Sequence, residues 1–259
     1  MRKKLIIMDL DGTVTESKSK ISKEMSSMIK YLLGAYRVAV ISGGSYSQFQ
    51  NQFLVGLNNL QFPEMLEALY LLPCSGAQFY IFKTLGYEQV YNNDFNLREK
   101  VEIYQAFYRY CGLADIEFSA NIYGEIAEDR GSQITFSMCG QEAPLNVKQT
   151  WDINGEKRKK LISYMKPCLP EFEVKFGGTT SIDVTKKGID KEFGIKKLID
   201  YLIKNDESLN SCLNLSDIVF IGDRLEENGN DYPAKRMGLE CIPVSGPTDT
   251  LKVLESISS

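Results

Sequence analysis

The chain has 259 residues, 43% of them hydrophobic and 25% charged, which is enough apolar material for a sizeable core and typical of a soluble globular protein. Its formal net charge is −4 and no long basic stripe appears, which argues against nucleic acid as a partner. There is no histidine at all. That excludes Ser-His-Asp and Cys-His catalysis, histidine-ligated zinc and histidine general bases, so any catalysis must run on carboxylates, lysine, hydroxyls, backbone amides or an oxygen-liganded metal.

The first element is the apolar run Leu5 to Met8 in KLIIMDL, continuous as in a strand buried on both faces. It is too short for a secretory core, which needs roughly 7–15 residues, or for a membrane span of about 20. A cytoplasmic protein with no membrane partner is expected. Residues 21–36 then place Ile21, Met25, Met28, Ile29 and Leu32 at helical spacing. A second buried strand, Val38 to Ile41, ends in Ser-Gly-Gly-Ser, where Ser45 is a candidate N-cap. This strand–helix alternation is the signature of a parallel α/β sheet.

The middle of the chain reads differently. Two helical patterns, DFNLREKVEIYQAFYRYCG and NGEKRKKLISYMKP, accompany alternating strand patterns in IEFSANIYGEIAEDR, SQITFSM, FEVKFGG and TSIDVT. Period-two alternation predicts an antiparallel sheet with one exposed face. The basic run KRKK at 157–160 reads as a solvated helix face. After it, 189–205 reads as an amphipathic helix with Asp190 at its start, DIVFIGD as a strand ending on Asp223, and the chain from about 247 as a terminal helix. The prediction is an α/β core over 1–83 and 187–259 with an α+β domain inserted over 84–186. Six scattered cysteines, Cys74, Cys111, Cys139, Cys168, Cys212 and Cys241, form no CxxC pair and read as reduced thiols.

In an open parallel sheet, ligands sit beyond the carboxyl ends of the strands. Three predicted core strands end in Asp9-x-Asp11, Ser42-Gly43-Gly44 and Gly222-Asp223. Carboxylates that converge repel unless a cation lies among them. Mg2+ suits such oxygen ligands and also contacts phosphate. The Ser-Gly-Gly-Ser loop lets backbone N–H groups approach an anion. Lys191 opens a helix, where its charge does not help the helix, and makes more sense as a phosphate partner.

Together MDLDGTVT, VISGGS, Lys191 in GIDKEFG and FIGDRLEENGNDYP resemble the motifs of the haloacid dehalogenase (HAD) superfamily, in order and over essentially the whole chain. The inserted domain resembles the type IIB cap. The resemblance implies a HAD-like Rossmannoid core in which Asp9 is the nucleophile that takes the phosphoryl group and Asp11 the general acid and base. Ser42, the Gly43 amide and Lys191 would hold phosphate oxygens. Mg2+ would be held by Asp9, the Asp11 backbone carbonyl and Asp223, with Asp231 orienting a metal-bound water.

Within type IIB, GGTTSIDVTKKGIDK, the eight-residue interval from Asp223 to Asp231 and ISGGSYSQFQNQF resemble the eukaryotic-type phosphomannomutases. Those mutases grip a distal phosphate with cap arginines. Here Arg130 is kept, but two further arginine positions carry Gln141 and Tyr123. Losing bidentate cations should harm a mutase, which holds phosphate at both ends of its sugar, more than a phosphatase. The expectation is a Mg-dependent phosphatase of a phosphorylated sugar or similar small metabolite. A mutase is the alternative, and a non-catalytic binding module a remote one. Arg130, Gln133, Ser181 and Asp183 are the cap candidates for substrate contact, and the protein is expected to be a monomer or a cap-mediated homodimer.

Overall fold

The computed structural model describes residues 3–57, 63–177, 179–206, 209, 213–227 and 229–258. They fall into two compact units, one made of residues up to Asn92 and from Ile189 onward, the other spanning Asn93–Gly188. The first junction therefore lies beyond residue 83. The chain after Lys83 turns back as a hairpin strand and stays hydrogen-bonded to the core sheet.

The first unit is a seven-stranded sheet. In chain order its strands are β1 (Leu5–Met8), β2 (Arg37–Ile41), β3 (Leu69–Leu72), β4 (Gln78–Lys83), β5 (Gly86–Asn92), β10 (Ile218–Gly222) and β11 (Glu240–Pro243). Their spatial order is β11-β10-β1-β2-β3-β4-β5. The first five in that order are parallel, and β4 and β5 add an antiparallel edge. The central strands are apolar throughout because both faces are covered. Ile6, Met8, Val38, Val40, Leu69 and Leu71 pack with Met25, Ile29 and Leu32 of the helix Lys23–Leu33. The alternate residues Leu5, Ile7, Ala39, Ile41 and Phe220 pack with Ile195, Leu198 and Leu202 of the helix Lys191–Asn205. The terminal helix Pro247–Ser258 lies where the sequence predicts it.

The second unit is an antiparallel sheet of order β6-β7-β9-β8, formed by β6 (Ala127–Asp129), β7 (Gln133–Ser137), β8 (Phe172–Phe176) and β9 (Ser181–Lys186). Of the predicted strand pattern at 116–130, only the last three-residue piece is a strand. One face of this sheet, with Ile134, Phe136, Ile182 and Val184, packs on Phe107 of the helix Leu97–Leu113 and Leu161 of the helix Glu156–Met165. The rings of Phe107 and Phe136 stack at 3.9 Å. The opposite face carries Gln133, Thr135, Ser137, Ser181 and Thr185, and these are buried, not exposed as the alternation predicts. Protein groups take up part of their hydrogen bonding: Gln133 Nε2 donates to Thr135 Oγ1 at 3.1 Å, and Ser137 Oγ donates to the Gly140 carbonyl at 2.8 Å.

The basic run at 157–160 is not a uniformly solvated face. Arg158 is buried, and its Nε donates to Asp152 at 2.8 Å. Cys74, Cys111, Cys139, Cys168 and Cys241 are free thiols, and Cys212 lies outside the described residues. Among the described residues no helix is long and apolar enough to cross a membrane.

Candidate active site

The ends of β1 and β10 converge. The ladder continues one residue past β1, with the Asp9 N–H donating to the Ile221 carbonyl at 3.0 Å. The chain then turns sharply, as the N–H groups of Val14 and Thr15 donate to the Leu10 carbonyl at 3.0 and 2.9 Å. Gly12 takes φ +84°, and a side chain there would lie 2.7 Å from Asp223 Oδ2. Glycine thus permits both the turn and the close approach of Asp223. Gly222 plays the matching role on β10, where a Cβ would meet the Asp231 carboxyl carbon at 2.7 Å.

The carboxylates of Asp9, Asp223 and Asp231 lie within 4.8 Å of one another. Lys191, 1% exposed, is the first residue of its helix, which Asp190 caps by accepting from the Phe193 N–H at 3.1 Å. The Lys191 ammonium bridges Asp9 Oδ1 and Asp231 Oδ1, the latter at 2.6 Å. Asp231 Oδ2 accepts from the Arg224 N–H at 3.0 Å. Asp9 Oδ2 is different: it is buried and has no hydrogen-bond partner among the described residues.

Burial pushes the Asp9 carboxyl up to about 7; Lys191 opposes the shift, and the charges of Asp231 and Asp223 add to it. Burial also raises Asp223, with Asp231 adding to it. Burial alone would lower the Lys191 ammonium, but Asp231 and Asp9 outweigh it and hold it above the ordinary lysine value.

The other expected core residues flank this group. Asp11 is half-buried, and its Oδ1 accepts from the Lys18 N–H at 2.7 Å, so its side chain is held by the loop and stands outside the carboxylate cluster. Ser42, buried at the end of β2, accepts from the Gly44 N–H at 3.1 Å through Oγ. Ser45 caps the short helix Tyr46–Gln48 with a reciprocal Gln48 bond, as the sequence predicts.

In the second unit, Gln133, Ser181 and Asp183 lie on the polar face of the sheet and Arg130 just precedes β7. Thr135 donates to Asp183 at 2.8 Å, and burial raises the Asp183 carboxyl, with Arg130 opposing. Arg130 Nη2 donates to Glu128 at 2.6 Å. The Gln141 side-chain amide donates to the carbonyls of Ile126 and Thr135, both at 3.1 Å.

Sequence reasoning missed the direct Lys191–Asp231 pair, which no local pattern announces because the residues are 40 apart in the chain. It passed over Thr13, buried with a hydroxyl that has no hydrogen-bond partner among the described residues, inside the very string DLDGT that marks the site. It also missed the turn at 73–76, signalled only by Pro and Gly bracketing two small residues after an apolar run.

The site fits a hard divalent cation. Three carboxylates face one ammonium, which leaves two negative charges uncompensated when all are ionised. All three groups offer carboxylate oxygen, the donor type that Mg2+ prefers.

Comparison with known proteins agrees with this geometry. The family of haloacid dehalogenase-like hydrolases matches residues 6–226. A phosphomannomutase of Encephalitozoon cuniculi is 26% identical, over 98% of this chain and 93% of its own length. Among solved structures, the C-terminally truncated IMP-nucleotidase of Plasmodium falciparum superposes with a TM-score of 0.70 at 18% identity, covering 99% of this chain and 71% of that one. The trehalose-6-phosphate phosphatase of Aspergillus fumigatus gives a TM-score of 0.58 at 15% identity, covering 100% and 94%. The structural likenesses establish the fold, and the family match spans most of the sequence. This chain belongs to the haloacid dehalogenase-like hydrolase family and is a phosphoryl-transfer enzyme.

Proposed function

We propose that the enzyme is a Mg-dependent phosphatase of a phosphorylated sugar or similar small metabolite, working through a phosphoryl group carried on Asp9. The observation that carries this reading is the Asp9 carboxylate. One oxygen is pinned by Lys191, and the other is buried and without a hydrogen-bond partner among the described residues. A pinned carboxylate with one unengaged oxygen is oriented as a nucleophile.

In the first step Asp9 Oδ2 attacks phosphorus, and the bond from phosphorus to the leaving oxygen breaks. Asp11, held by the Lys18 N–H, donates the proton that the leaving alkoxide needs. In the second step Asp11 takes a proton from water, the water oxygen bonds to phosphorus, and Asp9 is released. Ser42, the Gly43 amide and Lys191 hold the equatorial oxygens as charge shifts onto them. Mg2+, held by Asp9, Asp223 and the Asp11 carbonyl with Asp231 beside them, would supply positive charge to offset that of carboxylate and phosphate.

The choice of phosphatase rests on the cap. Its retained Arg130 is neutralised by Glu128, and Asp183 adds another acid on the same polar face. Gln141 spends its amide on two backbone carbonyls. Such a face suits the hydroxyls of a monophosphate's far end better than a second phosphate. Arg130, Gln133, Ser181 and Asp183 are the groups we assign to that end. The second reading, a sugar phosphate mutase, is favoured by the near full-length similarity to a phosphomannomutase.

A paired assay separates them. Purified protein with Mg2+ is given a panel of sugar and polyol phosphates, with phosphate release as one readout. The other is conversion of mannose 1-phosphate to the 6-phosphate in the presence of a hexose bisphosphate. Release without interconversion is expected. Interconversion with little release would overturn the phosphatase reading.

A further inference from the structure

The chain leaves β3 through Pro73-Cys74-Ser75-Gly76, and three successive residues take the left-handed conformation: Cys74 at φ 51°, Ser75 at φ 57° and Gly76 at φ 86°. Only the third is glycine. Left-handed backbone at two adjacent side-chain-bearing residues is disfavoured and persists only where the surroundings over-determine it.

Those surroundings are the phosphate loop and the lysine helix. The Ser75 N–H donates to the Ser42 carbonyl at 2.8 Å, and the Cys74 N–H donates to the Gly44 carbonyl at 2.9 Å. The peptide joining Ser42 to Gly43 is planar and trans, so its C=O and N–H point in opposite directions. Holding the Ser42 carbonyl toward Ser75 therefore aims the Gly43 N–H the other way. On its far side the turn meets the helix that begins with Lys191. Gly76 and Gly194 touch backbone to backbone; a Cβ on Gly194 would lie 2.6 Å from the Gly76 Cα. The Gly76 carbonyl accepts from the Tyr91 hydroxyl at 2.7 Å, and the Tyr91 ring meets Phe193 edge-on, with centroids 6.2 Å apart.

We propose that the left-handed turn 74–76 is a positioning device that sets the Gly43 amide and Lys191 in one mutual geometry, with Ser75 and Gly76 as positioning residues. The inference rests on the phosphate-binding roles given above to Gly43 and Lys191. Its physical content is that two anion-holding groups from distant parts of the chain are referenced to one rigid turn instead of to each other.

The test is a double-mutant cycle on hydrolysis of 4-nitrophenyl phosphate, with melting temperatures measured alongside and inorganic phosphate as the inhibitor. Gly194→Ala improves helix propensity but pushes the helix off the turn. It should lower kcat by about 10²-fold, the scale of a misplacement near 1 Å, in protein that stays folded at the assay temperature. Phosphate inhibition should weaken in parallel. In a Lys191→Ala background the same substitution should change kcat less than about twofold, because the group it misplaces is gone. Should Gly194→Ala not fold, Tyr91→Phe keeps the ring on Phe193 and loosens only the Gly76 carbonyl, and a smaller drop in kcat with the same loss of effect beside Lys191→Ala is expected. Full additivity in both cycles, or unchanged kcat in both single variants, would overturn the proposal. If instead Lys191→Ala itself retained full activity, the phosphate-binding reading would fail and not merely the role of the turn.

Discussion

Each unit of the molecule buries a carboxylate, Asp152 in the cap and Asp9 in the core, and the two are held in opposite ways. In the cap, Asp152 is buried but fully answered: it accepts from Arg158 Nε at 2.8 Å and from the N–H groups of Lys157 and Arg158 at 3.1 and 3.2 Å. Burial alone would raise its carboxyl, yet these partners win and hold it below the ordinary value. In the core, burial wins at Asp9, one carboxylate oxygen has no partner among the described residues, and two more acids crowd around it. A satisfied buried pair holds a fold in place. An unsatisfied acidic cluster costs stability and persists where a cation and a substrate complete it.

The largest expected effect comes from removing the unanswered acid. Asp9→Asn should reduce phosphate release to background while raising the melting temperature of metal-free protein, since it deletes a buried charge among like charges. A lower melting temperature would mean that Asp9 is structural, as Asp152 is, and would erase the contrast. Next, Asp11→Asn should slow turnover by at least about 10²-fold, the usual reach of acid–base assistance; steady-state kinetics with a good and a poor leaving group would show the larger loss on the poor one.

The cap should behave in the reverse sense. Asp152→Ala removes the carboxylate paired with buried Arg158 and should cost about 3–5 kcal/mol in denaturant unfolding, without removing any catalytic group. The sign with pH follows from its lowered carboxyl. Its contribution is present above the unfolded value near 3.8 and is lost as pH falls through the lower folded value. The wild-type advantage over Asp152→Ala should therefore hold at neutral pH and shrink only in strong acid. The smallest effect is metal removal. Mg2+ at about 100 times its Kd should stabilise the wild type by about 2.7 kcal/mol over chelator-treated protein, and Asp223→Asn should lose most of that gain in thermal melts.

Much of the core site was legible because its signals are local. Asp9 and Asp11 stand two residues apart after a continuous apolar strand, Gly43 and Gly44 follow another, and Asp223 ends a third. Parallel-sheet topology alone brings such strand ends to one edge. What sequence could not show was pairing between distant segments, as in Lys191 with Asp231 or Gly76 with Gly194. The conformation of 73–76 was also hidden, since Cys and Ser do not advertise left-handed backbone as Gly or Asn would. The cap was read less well for a related reason. Alternation correctly split Ile134 and Phe136 from Gln133 and Thr135, but polar residues on a sheet face look the same whether water or protein groups satisfy them. The hairpin strand β5, with little apolar alternation, reads as the start of the cap but pairs with the core sheet.

The most direct test of the central claim is to trap the enzyme during turnover of a good substrate, reduce it with borohydride, and find which residue carried phosphate by mass spectrometry of the peptide spanning residues 5–18. The account predicts a single modified site at Asp9, dependent on Mg2+ and absent in Asp9→Asn. Turnover with no modified peptide, or modification at another residue, would contradict it.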